Sequence, residues 1–158
     1  IQEKVAIAAI KYSILRQAPG RDIIFDFDKS LSFEGDSGPY LQYTRARAHS
    51  VLEKFTDAAR VTLPQGSTLK TQDSRSHLSV ELKLIHFPEV VARAAQEFAP
   101  QHLVTYLTEL ASAFNAFYAQ NQIVGSEEED YRLTLTRAVE KVLTTGLNLL
   151  AIPVLDRM

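Results

Sequence analysis

Apolar residues recur at helical spacing along most of the chain. Val5, Ala8, Ala9, Tyr12 and Leu15 predict a helix over residues 1–15, which Pro19-Gly20 ends. Residues 22–33 break that rhythm. They read either as a short strand or as an extended segment with one helical turn, and only Ile23–Phe27 has strand character. Gly35-Asp36-Ser37-Gly38 is a loop and the expected domain boundary. Pro39 suits the first position of a helix, where its missing N–H would be unpaired anyway. That helix is expected to run to about Val61, before Leu63-Pro64-Gln65-Gly66 breaks it, with a polar connection over Ser67–Ser76. Two short helices follow, His77–Ile85 and Glu89–Phe98, separated at Pro88. Gln101–Gln120 carries Leu103, Leu107, Leu110, Phe114 and Phe117 on one stripe, the mark of a helix buried on one side. Ser126 and Glu129 spell a capping box for a last helix over Glu127–Ala151. Its shared face holds Leu135, Ala138, Val139, Val142, Gly146 and Leu149, and Gly146 there would let another helix come close. The pattern predicts an all-α helical bundle, divided into residues 1–36 and residues 37–158.

Composition adds exclusions. The 158 residues contain no cysteine, which rules out disulfides, thiolate chemistry and cysteine-ligated metal. Lys and Arg number 17 against 19 Asp and Glu, a net charge of −2, so nonspecific nucleic-acid binding through a basic excess is not expected. Any RNA must be met by a local patch; residues 39–60 hold Arg45, Arg47, Lys54 and Arg60 against Glu53 and Asp57, four minus two. Apolar runs are short and every helical stretch carries charge, so no segment is expected to span a bilayer.

Most motif-like strings have plain explanations. Gly35-Asp36-Ser37-Gly38 spells the surroundings of a trypsin-like nucleophile, but all four histidines follow Ser37 and the chain is helical. The scattered histidines show no zinc spacing, no phosphate loop is present, and no metal site is expected. Glu127-Glu128-Glu129-Asp130 complements a helix dipole. One stretch is different. At 100° per residue, Tyr40, Tyr43 and Arg47 fall within about 60° of one another. They flank a core stripe of Leu41, Ala48, Leu52 and Phe55, while Arg45 points about 160° from Arg47. Two tyrosines and an arginine so placed can stack on and hydrogen-bond unpaired bases. They can equally pack against a neighbouring helix with their hydroxyls wet.

Residues 33–47, Phe-Glu-Gly-Asp-Ser-Gly-Pro-Tyr-Leu-Gln-Tyr-Thr-Arg-Ala-Arg, resemble the signature that closes the catalytic body of arginyl-tRNA synthetases and opens their helical anticodon-binding domain. The likeness includes Lys11-Tyr12-Ser13, Leu103–Asn115, Arg132–Leu135 and the ending Gly146–Met158. Tyr131-Arg132-Leu133 occupies the place of the motif that gives the DALR domain its name, without an intact copy. The resemblance implies a C-terminal fragment that binds the anticodon loop of arginine tRNA through Tyr40, Tyr43, Arg47, Tyr118 and Met158, with Gln122 where some members have an aromatic residue. It implies that residues 1–36 are the tail of an upstream catalytic domain, the further partner of this region. The His-x-Gly-His and Lys-Met-Ser-Lys elements of that domain are absent here, so the chain is expected to have no catalytic residue and no cofactor, ATP and Mg belonging to the full-length enzyme. The whole protein is expected to be a cytoplasmic monomer. Arginine codons all have a central guanine, so a reader of the anticodon's central cytosine would serve every arginine tRNA. The alternative reading is a helical protein-interaction module without RNA binding; the Gly35–Arg47 stretch speaks against the anticodon domain of the cysteine enzyme.

Overall fold

A computed structural model describes residues 1–23, 25–56 and 74–158. Among these residues six helices follow in order: α1 (Gln2–Leu15), α2 (Phe27–Ser30), α3 (Gly38–Thr56), α4 (Ser74–Gln96), α5 (Gln101–Gln120) and α6 (Glu129–Leu149). No strand occurs among the described residues. Asp26, in extended conformation just before α2, caps its single turn by accepting from the Lys29 amide. The expected end of the third helix at Val61, the Leu63–Gly66 break and residues 67–73 of the connection lie outside the described residues.

Helix α5 is the axis of the bundle, with α1, α3, α4 and α6 packed around it. Every residue of its predicted stripe is buried, Leu107, Leu110, Phe114 and Phe117 completely. Helix α3 starts at Gly38, one residue before Pro39, and Ser37 caps it by accepting from the Tyr40 amide at 3.0 Å. That buried serine also donates to the Ser32 carbonyl, so the protease-like string is a helix cap.

Three sequence expectations need correcting. Pro88 does not break the chain into separate helices; α4 runs through it. Leu84, Phe87, Val90, Val91 and Ala94 keep helical spacing across the proline and pack against the core. Pro88 itself is exposed, so the helix loses one backbone donor there without losing the packing of its inner face. The second correction concerns α6. Its buried residues are Leu133, Leu135, Thr136, Val139, Leu143, Gly146 and Leu147, while Leu149 is exposed. The true face is turned roughly 80° from the expected one. Thr136 tolerates burial because its hydroxyl donates to the Arg132 carbonyl. The capping box is not formed as expected either. Glu129 accepts from the Gly125 amide, and the Ser126 hydroxyl donates to the Ile123 carbonyl. Ala151, in the left-handed region at φ 53°, turns the chain back over the bundle and ends the helix before its expected limit.

The two glycines that matter permit close packing. A Cβ on Gly146 would lie 2.5 Å from Leu107 Cδ2, so the expected close approach is of α5. Gly38 sits against the α1 backbone, where a Cβ would lie 2.5 Å from the Ala8 carbonyl carbon. Residues from the first 36 positions thereby join the main core, with Ala8, Ala9 and Tyr12 all buried and the Tyr12 hydroxyl 2.9 Å from Thr108 Oγ1. Among the described residues no helix is long and apolar enough to cross a membrane.

Candidate nucleic-acid interface

The site lies where the outer flank of α3 meets the last turns of α5 and the C-terminal tail. Arg47 is its centre. Its guanidinium donates from Nη1 to Asn115 Oδ1 and from Nη2 to the Tyr43 hydroxyl, each at 2.9 Å. It lies 4.7 Å from the Tyr43 ring centroid and 5.3 Å from that of Tyr118, so one cation sits against two aromatic rings. Tyr43, Tyr118 and Met158 are each about two-fifths exposed, which leaves usable apolar surface beside the charge.

Asn115 organises the cluster from beneath. Its Nδ2 donates to the Tyr40 hydroxyl at 3.0 Å and to Thr44 Oγ1 at 2.9 Å, and the Thr44 hydroxyl donates to the Tyr40 carbonyl. Arginine can only donate, so the side of the amide facing Arg47 must be its oxygen. That fixes the direction of the whole chain of bonds. Tyr40 is thus tied to Arg47 through Asn115, half-buried and packed against the core, whereas Tyr43 and Tyr118 present their rings. Phe33 meets the Tyr43 ring edge-on at 6.3 Å.

A cavity of about 350 Å³ opens beside Arg47, lined by Tyr43, Ala46, Arg47, Ser50, Arg157 and Met158. That is near the lower end of the roughly 300–1,000 Å³ typical of small-ligand pockets, a size for one planar group rather than a duplex. The structure therefore brings Tyr43, Arg47 and Met158 to one cavity, with Tyr118 stacked behind the arginine and Tyr40 in support. Gln122 is apart from this group, donating to the Val124 carbonyl in the turn after α5.

The local charge count needs revision. Arg45 is buried and ion-paired with Glu140 at 2.7 Å and Asp156 at 2.6 Å, so it adds nothing to the charge this face presents. The Arg45 guanidinium holds the Asp156 carboxyl below the usual carboxylate range, first by its hydrogen bond and then by its charge. Sequence reasoning also missed the roles of Asn115, Thr44 and Arg157. Asn115 carries one faint signal, an amide of poor helix propensity inside the apolar run Ala113–Phe117, three residues before Tyr118. Among the described residues, no three His, Asp or Glu side chains converge to hold a metal ion.

Comparison with known proteins matches residues 41–158 to the DALR anticodon binding domain. The chain belongs to that family. An arginine–tRNA ligase of Pyrococcus abyssi is 38% identical over 160 residues, covering 100% of this chain and 25% of the relative. One from Thermus thermophilus is 36% identical over 158 residues, or 94% of this chain and 26% of its own length. The solved Thermus thermophilus arginyl-tRNA synthetase superposes with a TM-score of 0.84 at 36% identity, over 98% of this chain and 27% of that one. For the Plasmodium falciparum enzyme the TM-score is 0.85 at 25% identity, over 99% and 27% of the two chains. This DALR chain thus spans about a quarter of the length of these relatives. The family match favours the anticodon-binding reading over a protein-interaction module. In this DALR domain, the departed name motif Tyr131-Arg132-Leu133 has structural work. Leu133 is buried, and Arg132 binds the Gln122 carbonyl at 2.7 Å and Glu128 at 2.9 Å, fastening the connection between α5 and α6.

Proposed function

We propose that this chain is the tRNA-reading region of an arginine–tRNA ligase, and that it grips an opened anticodon loop of arginine tRNA. The observation that carries the reading is the Tyr43–Arg47–Tyr118 stack beside a cavity sized for one base. A base entering there meets the exposed Tyr43 ring, and stacking of this kind is worth about 1–3 kcal/mol per base. A guanidinium has five N–H groups, of which two serve Asn115 and Tyr43. The rest are available to N3 and O2, the two acceptors on the Watson–Crick edge of cytosine. Asn115 and Tyr43 hold the fork in place before the base arrives, which lowers the ordering cost of binding. In the whole protein, a cytoplasmic monomer on this reading, an upstream domain supplies the ATP- and Mg-dependent joining of arginine to the tRNA.

Two results test this. Unlabelled arginine tRNA should displace labelled arginine tRNA from the chain at low salt. A tRNA with another central anticodon base should compete about tenfold more weakly or worse, a single mismatched contact costing roughly 1–3 kcal/mol. Equal competition would overturn the assignment. The purified chain should also show no arginine-dependent ATP–pyrophosphate exchange, since it contains neither nucleotide-site element. Exchange proportional to its concentration would contradict the division of labour.

A further inference from the structure

The helix wheel sets Arg45 apart from Arg47, and the structure shows where it goes instead. Arg45 is only 6% exposed and spends its fork entirely on α6 and the tail. On α6 it meets Glu140 at 2.7 Å and donates from Nε to Thr144 Oγ1 at 3.0 Å. From Nη1 it donates to the Leu155 carbonyl at 3.0 Å and to Asp156 Oδ1 at 2.6 Å. Three residues earlier, buried Gln42 donates to the Pro153 carbonyl at 2.6 Å. Ile152 and Leu155 of the tail are also buried. The tail is therefore held through Asp156, Arg157 meets Glu53 of α3 at 3.4 Å on the exposed rim, and Arg157 and Met158 wall the cavity.

We infer that Arg45 is a positioning residue, which fixes the C-terminal tail so that Arg157 and Met158 close one side of the base cavity. A buried ion pair is a poor device for stability alone, since well-packed apolar residues often serve as well. A planar fork that joins a carboxylate, a hydroxyl, a backbone carbonyl and a second carboxylate does something an apolar residue cannot. It ties the direction of the tail to the same helix that carries Tyr43 and Arg47. Lysine at this position would keep the charge beside Glu140 and lose the fork.

The inference concerns the cavity of the proposed function, so its test has one arm with RNA and one without. Asp156→Ala is the cleaner variant, because that side chain is 72% exposed and its removal leaves the Arg45–Glu140 pair intact. Arg45→Lys is the second. Without RNA, carboxypeptidase trimming followed by mass measurement should halt near Asp156 in the wild type. It should pass Leu155 about tenfold faster in either variant, the loss of a charge-assisted bond being of that order. With RNA, a stem-loop whose loop centres on cytosine should bind Asp156→Ala as weakly as a variant lacking Met158. Deleting Met158 from Asp156→Ala should then cost nothing more, while melting of Asp156→Ala stays close to wild type. Unchanged trimming in both variants overturns the inference. So does faster trimming with unchanged affinity, or a full Met158 effect in the Asp156→Ala background. If the wild type binds no RNA, the proposed function fails while the trimming arm still decides whether Arg45 holds the tail.

Discussion

Gly38→Ala should lower the melting temperature by roughly 6–12 °C, the equivalent of about 3 kcal/mol for a chain of this size. The added methyl would meet backbone, with the Ala8 carbonyl carbon at 2.5 Å and the Ala9 nitrogen at 3.1 Å. A side chain can change rotamer to relieve such a clash, but α1 must move as a unit. Moving it loosens the burial of Ala8, Ala9 and Tyr12 and breaks the bond from Gln42 Nε2 to the Lys4 carbonyl. Thermal unfolding followed by circular dichroism measures this. A shift of a degree or two would mean that α1 is not seated on α3 as described. The same contact predicts that residues before Gly38 contribute to the stability of the rest of the chain.

Arg47→Ala should weaken binding of a cytosine-centred loop by about 2 kcal/mol, roughly thirtyfold, with little change in melting temperature. The two effects separate because of where Arg47 sits. Tyr43 borders the cavity and Asn115 is only half-buried, so water can replace the lost donors without leaving a buried group unpaired. Tyr43→Ala removes a stacking surface, and its loss should be similar for any central base. Arg47→Ala should cost less against a loop whose central base is already altered, since the contact it removes is then no longer made. Filter binding of both variants with both loops measures this, and an equal loss for both loops in Arg47→Ala would contradict it.

Local patterns carried most of the fold in readable form. Helix α5 was legible because its stripe of Leu103, Leu107, Leu110, Phe114 and Phe117 is regular over its whole length. Pro88 misled because its penalty is local, whereas the reward for continuing the helix comes from Leu84, Phe87 and Val91 meeting the core across the fold. The α6 face was misjudged for a related reason. Val142 and Leu149 look as apolar as Leu143 and Leu147, and only the positions of α3, α4 and α5 decide which pair is buried. At the site, the angle between Tyr40, Tyr43 and Arg47 was available from helix geometry alone. Asn115 was not, because it reaches Arg47 from another helix, 68 residues along the chain. The same holds for Arg45, which the wheel sets apart from Arg47 without showing what it meets. Its partners Glu140 and Asp156 are distant in sequence and close only once α6 and the tail have folded back.

The central claim is that Arg47 reads a base. The most direct test is equilibrium binding, at one fixed low salt concentration, of two stem-loop RNAs that differ only in a cytosine or a uracil at the centre of the loop. Wild-type protein should favour the cytosine loop by about tenfold or more, and Arg47→Ala should bind the two alike. Equal affinities in the wild type, or a preference that survives Arg47→Ala, would contradict the account.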